Sequence, residues 1–168
     1  KDVVGDGYQA TKWFFRHGPG SGRDGMRANI GLVEALRDGA GEDVEIMMDA
    51  WSSWNIPYTL KMANQIAKYD IKWIEEPVLA DKIDSYVELQ RNSPISISGG
   101  EHEYTRWGFR QIVEKKAMDY LQPDIYWAGG ISELIKICAL ASTFDTPVIP
   151  HGHSAQATAH LIASQPPS

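Results

Sequence analysis

Val44-Glu45-Ile46-Met47-Met48-Asp49, an amphipathic stretch opening at Pro57, and Ile71-Lys72-Trp73-Ile74-Glu75 together decide the fold class. Two short apolar runs, each closing on a carboxylate, flank a helical pattern in which Leu60, Ala63, Ile66 and Ala67 share one stripe. Pro57 suits a first helical position, where its missing N–H costs nothing. Runs with so little polar alternation are expected to be strands buried on both faces, and a helix between two strands makes them parallel.

The unit recurs in both directions. Beside Val44 to Asp49 and Ile71 to Ile74, the strand candidates are Tyr8 to Phe15, Ile95 to Ser98, Met118 to Gln122 and Thr146 to Ile149. Helical stripes fall between them. Met26, Ile30, Val33 and Leu36 form the first, closed by Gly39 to Gly41. Others run through Ile83, Tyr86, Val87 and Leu89; through Phe109, Ile112 and Val113; and through Ile131, Leu134, Ile135, Cys138 and Phe144. A last helix is expected from Ser154 to Ala163. The result is βα six times over with no low-complexity linker, hence one α/β domain or part of one.

Composition bounds the function classes. The 168 residues carry 22 acids against 16 Lys+Arg, a formal charge of −6, and are 43% hydrophobic, enough to bury a core. This excludes a disordered tail and a disulfide mini-protein. The acidic balance without a basic cluster argues against nucleic acid or an anionic membrane as main partner. With one thiol, Cys138, no internal disulfide forms. Cys138 falls on an apolar stripe and is expected in the core, and the expected location is cytoplasmic. The chain starts on Lys1 and stops at Gln165-Pro166-Pro167-Ser168, which reads as a piece of something longer.

Carboxylate spacing carries the chemistry. Asp49, Glu75 and Glu101 each follow a strand candidate, 26 residues apart in both steps, so they are expected at equivalent places on neighbouring strands. In an α/β barrel that place is the mouth, where active sites are built. Three converging carboxylates repel one another unless a cation sits between them, and hard oxygen ligands suit Mg2+. Acids at strand ends also cap helices or face solvent, but three at equal spacing favour the metal. Asp124 follows the next strand and His151 the one after, placing the pair side by side. There the carboxylate orients the imidazole for use as a general base.

The strings Met48-Asp49-Ala50, Trp73-Ile74-Glu75-Glu76-Pro77, Gly99-Gly100-Glu101-His102, Gln122-Pro123-Asp124 and Pro150-His151-Gly152-His153 resemble the enolase superfamily, in its mandelate racemase subgroup. Lys12-Trp13-Phe14-Phe15-Arg16-His17-Gly18-Pro19 and Gly130-Ile131-Ser132-Glu133 are most similar to its acid-sugar dehydratases, the L-rhamnonate-type enzymes in particular. The resemblance implies a partial TIM-like (β/α)7β barrel comprising strands two to seven, without the capping domain and strands one and eight. Residues 1–168 would then be part of a C-terminal barrel domain. It further implies that Asp49, Glu75 and Glu101 bind magnesium and that His151, held by Asp124, removes the proton α to a substrate carboxylate. Loss of hydroxide from C3 through an enediolate would convert an aldonate, a small-molecule acid sugar, to a 2-keto-3-deoxy acid. Lys12, His102, Arg16 and His17 are the candidate substrate-binding residues. A homo-oligomer is expected at full length, and the 168-residue piece alone is expected to be inactive and prone to associate.

One departure separates dehydration from its rivals. Subgroup members often carry Lys-x-Lys on strand two, and here Lys12 is followed at the second position by Phe14, which cannot move a proton. Two-base epimerisation or racemisation is thereby disfavoured. A zinc hydrolase using His151-x-His153 is a further alternative, with an inactive barrel fragment the non-enzymatic one. Glu76 is expected to face away from Glu75 and pair with a basic residue. Trp51, Trp54, Trp107 and Trp127 follow strand ends and either wall the pocket or pack between helices and loops.

Overall fold

The computed structural model describes residues 4–152 and 155–165. His153 and Ser154, and with them the His151-x-His153 pattern and the expected start of the last helix, lie outside the described residues. The chain divides into two compact units, Lys1–Ile97 and Ser98–Ser168.

In the first unit, β1 (Ala10–Phe14), β2 (Glu45–Asp49) and β3 (Ile71–Glu75) form parallel ladders in the order β1-β2-β3. Helices α1 (Gly22–Ala40), α2 (Ile56–Ile66) and α3 (Ile83–Asn92) follow the strands in turn. The Ile74 N–H donates to the Ser96 carbonyl at 2.9 Å, just ahead of β4 (Ile97–Gly99). Ile46, Met48, Met62, Ile66, Ile74 and Leu89 are fully buried and form the core. Asn55 caps α2 by accepting from the Tyr58 N–H at 3.0 Å, with Pro57 in the first turn. Gly41, at φ 76°, closes α1 with its N–H on the Arg37 carbonyl. The Arg37 guanidinium takes four main-chain carbonyls at 2.7–2.9 Å, those of Gly41, Val44, Tyr69 and Asp70, and ties the helix to the starts of β2 and β3.

In the second unit β4 pairs in parallel with β5 (Tyr120–Leu121), and α4 (Thr105–Lys115), α5 (Ile131–Ser142) and α6 (Ala155–Ala163) follow. Its core holds Phe109, Leu121, Leu134 and Ile137. Gly100 sits at φ 112° under Phe109, whose Cε1 would lie 2.9 Å from an added Cβ, so only glycine fits there. Among the described residues no helix is long and apolar enough to cross a membrane.

Four expectations are corrected. The sixth strand, Thr146 to Ile149, is a single bridge of Val148 to Leu121. Pro147 and Pro150 bracket it, and residues without an N–H cannot extend a ladder. Strand β1 is shorter than Tyr8 to Phe15 and is not buried on both faces: Trp13 and Phe14 are 43% and 56% exposed on a strand that, among the described residues, has β2 as its one neighbour in the sheet. On α5 the buried residues are Leu134, Ile137 and Ala141, while Ile131 and Ile135 face outward. Cys138, at the margin of that buried face, is half-buried, and burial raises its thiol pKa.

Candidate active site

The first unit brings Lys12, Asp49 and Glu75 together. Asp49 and Glu75 are register partners at the C-terminal ends of β2 and β3, so parallel pairing sets their side chains next to each other. Both are almost wholly buried. The Lys12 ammonium, reaching from β1, bonds Glu75 Oε1 and lies 3.2 Å from Asp49 Oδ2. Asp49 Oδ1 also accepts from the Trp51 N–H at 2.8 Å, and Glu75 Oε2 from the Trp73 indole at 3.2 Å. Burial first and Glu75 second push the Asp49 carboxyl up to about 6, against the pull of Lys12 and the Trp51 N–H. Burial works against the Lys12 charge, but Glu75 and Asp49 outweigh it and its pKa rises. A side-chain cation therefore stands where the two acids converge. Such a point, lined by hard oxygens, fits a divalent ion.

The turns beyond these acids are strained. Trp51 and Ser52 have φ of 46° and 56°, and Glu76 of 38°. The Ser52 N–H donates to the Glu76 carbonyl at 2.6 Å and its hydroxyl to Glu76 Oε2 at 3.3 Å. Glu76 is thus buried with the Ser52 hydroxyl as a partner.

The second unit assembles Glu101, Asp124 and His151. His151 Nδ1 lies 2.9 Å from Asp124 Oδ2, and Nε2 lies 3.0 Å from Glu101 Oε2. Asp124 Oδ1 accepts from the N–H groups of Tyr126, at 2.8 Å, and Trp127, at 3.1 Å. Burial pushes the Asp124 carboxyl up, but the His151 bond and the two N–H groups prevail and hold it below the usual range. Its charge is therefore fixed, and the two ring nitrogens of His151 face different carboxylates, Nδ1 that of Asp124 and Nε2 that of Glu101. His102 Nδ1 is 3.7 Å from Glu101 Oε1, and its ring meets Trp127 edge-on with centroids 5.3 Å apart. Tyr104 stacks on the same indole.

Other expected residues stand apart. The Arg16 and His17 N–H groups both reach Asn29 Oδ1 at 3.3 Å, and the His17 carbonyl accepts from Asn29 Nδ2 and the Trp54 indole. Among the described residues, no hydrogen bond or ion pair joins either side chain to Asp49 or Glu75. Trp54 is packed, whereas Trp51, Trp107 and Trp127 are exposed. Sequence reading missed Asn29, whose sign was a polar residue amid an apolar stripe. It also missed the pairing of Arg106 with Glu133, although Glu133 lies in a string already singled out.

Parallel βα units that carry carboxylates and a His–Asp pair at their strand C-termini define an α/β chain of the kind in which barrel enzymes build their active sites at that end. All 168 residues match the enolase C-terminal domain-like family, and the chain belongs to it. It is 41% identical over 150 residues, 88% of this chain and 38% of the relative, to an L-rhamnonate dehydratase of Saccharopolyspora erythraea. The structure of a Gibberella zeae rhamnonate dehydratase complexed with Mg matches 98% of this chain and 41% of its own at 35% identity and a TM-score of 0.92. A Streptomyces coelicolor racemase with bound magnesium matches 98% and 47% at 29% identity and a TM-score of 0.89. The chain thus spans less than half the length of each of these relatives.

Proposed function

We propose that this chain is strands two to seven of a (β/α)7β barrel in a magnesium-dependent acid-sugar dehydratase. Its substrate would be an aldonate of L-rhamnonate type. The observation that carries the reading is His151, with Nδ1 held by Asp124 and Nε2 turned to Glu101, one of the proposed ligands. Asp49, Glu75 and Glu101 would hold the ion. Magnesium, when bound, supplies the positive charge that makes the proton α to a carboxylate removable. His151 Nε2 takes that proton from C2, and the C2 electron pair expels hydroxide from C3. The same imidazolium returns its proton to the departing oxygen, forming water, and the enol becomes the 2-keto-3-deoxy acid. Phe14, where a second base would stand for epimerisation, cannot return a proton to C2 from the opposite side.

The test is a full-length protein containing this chain, supplied with magnesium and a panel of aldonates and assayed for 2-keto acid. His151→Asn is expected to lower turnover by about 10³-fold. Full activity in that variant, or no product from any aldonate, would sink the reading.

A further inference from the structure

The loops that carry Glu101 and Asp124 run into α4 and α5, and one ion pair joins the starts of those helices. Glu133, in the first turn of α5, accepts from the Arg106 N–H at 3.0 Å, and Arg106 Nη1 lies 2.8 Å from both of its carboxylate oxygens. Lys136 Nζ adds a contact at 3.4 Å. Exposed ion pairs contribute little. This one differs, because the Glu133 side chain is 13% exposed and its contacts include a main-chain donor, which fixes the backbone as well as the side chain. The neighbouring Arg110–Glu114 pair on α4 is 56% and 45% exposed and lacks such a donor, which makes it the natural control.

What the pair fixes is a strained loop. Thr105, directly before Arg106, has φ 56°, a left-handed conformation that a β-branched residue keeps only where its surroundings impose it. Glu103 lies against Gly108, where a Cβ would come within 2.1 Å of its carboxylate, and accepts from the Tyr104 N–H at 2.7 Å. Tyr104 then stacks on Trp127, with centroids 5.4 Å apart, and the Trp127 N–H is held by Asp124. The contacts run without a break from Glu133 through the loop of Glu101 to the turn of Asp124.

We propose that Glu133 is a positioning residue: through Arg106 it fixes the loop bearing Glu101 and His102 against the turn bearing Asp124, and so sets the geometry for metal binding and proton transfer. This rests on the function proposed above. The experiment uses the full-length protein, first with Mg2+ alone. Glu133→Ala is expected to weaken Mg2+ binding measured by calorimetry about 10-fold and to lower kcat about 10-fold, with KM for the aldonate moving less than about 2-fold. Amide exchange at Tyr104, Thr105 and Arg106 should quicken, while the amides of β2 and β3 stay as they were. Arg110→Ala should change none of these. A Glu133→Ala protein with a lowered melting temperature but parental Mg2+ affinity, kcat and loop exchange overturns the proposal. If that variant does not fold, Glu133→Gln, which keeps an acceptor for the Arg106 N–H, should shift the same quantities in the same direction, and parental values overturn it. A parent that binds no Mg2+ and forms no 2-keto acid refutes the proposed function instead, and amide exchange still decides whether Glu133 fixes the loop.

Discussion

Asp49 and Asp124 stand beyond parallel strands, one in each unit, both almost wholly buried, and their carboxyls are pushed in opposite directions. Burial acts alike on both. Asp49 faces a second acid, Glu75, and shares one ammonium with it, so proton binding is favoured. Asp124 faces an imidazole and receives two backbone N–H groups, so the anion is favoured. In the proposed site the difference would be one of roles: a carboxylate crowded by another acid would take a cation, whereas one surrounded by donors would hold an imidazole still.

The largest effect expected from disturbing this contrast is on catalysis. Asp124→Asn keeps the size but removes the charge facing His151, and on the proposed function turnover in a full-length protein should fall roughly 10- to 100-fold. Parental turnover would mean that His151 is held by something else. The second effect is on stability in the metal-free chain. Asp49 binds protons more readily folded, at about 6, than unfolded, near 3.8, so its contribution declines as pH rises through that window. Asp124 is lowered from 3.8, so its contribution is complete above that value and lost as pH falls through its folded pKa. Thermal melts of Asp49→Asn and Asp124→Asn against the parent should diverge accordingly. The parent loses ground to Asp49→Asn between pH 4 and 6, and the cost of Asp124→Asn shrinks below pH 4. Parallel curves would erase the distinction.

The smallest effect concerns the turns. After Asp49 the left-handed backbone falls on Trp51 and Ser52, whereas after Asp124 it falls on Gly129 and Gly130. Trp51→Gly relieves a steric penalty of about 1–2 kcal/mol at the cost of a more flexible unfolded chain. A gain of about 0.5 kcal/mol in denaturant unfolding is expected. A loss would show that the Trp51 side chain contributes packing despite its exposure.

Much of this was legible because it depended on period. Equal spacing placed Asp49 and Glu75 at strand ends, and succession of strand ends placed Asp124 beside His151. What escaped depended on partners distant in sequence. Ile131 and Ile135 are as apolar as Leu134, and only the docking direction of α5 left them outside. Pro147 and Pro150 marked the weak sixth strand, but the apolar run between them outweighed that sign. Arg106 and Glu133 are 27 residues apart, with nothing local to join them. Lys12 could be read as meeting substrate or acids, and it meets the acids.

Among the described residues Arg37 grips four carbonyls and no side chain, and this shapes how the sequence can drift. Every residue offers a carbonyl oxygen, so substitutions at Val44 and Tyr69 leave the grip intact as long as the backbone keeps its course, whereas Gly41 at φ 76° and Asp70 at φ 51° are held to residues that tolerate a left-handed backbone. Arginine itself has no substitute, since a lysine ammonium lacks the planar fork that spans four oxygens. A search for correlated substitutions would therefore pass over this joint, where one side chain holds its neighbours by groups that do not depend on their side chains.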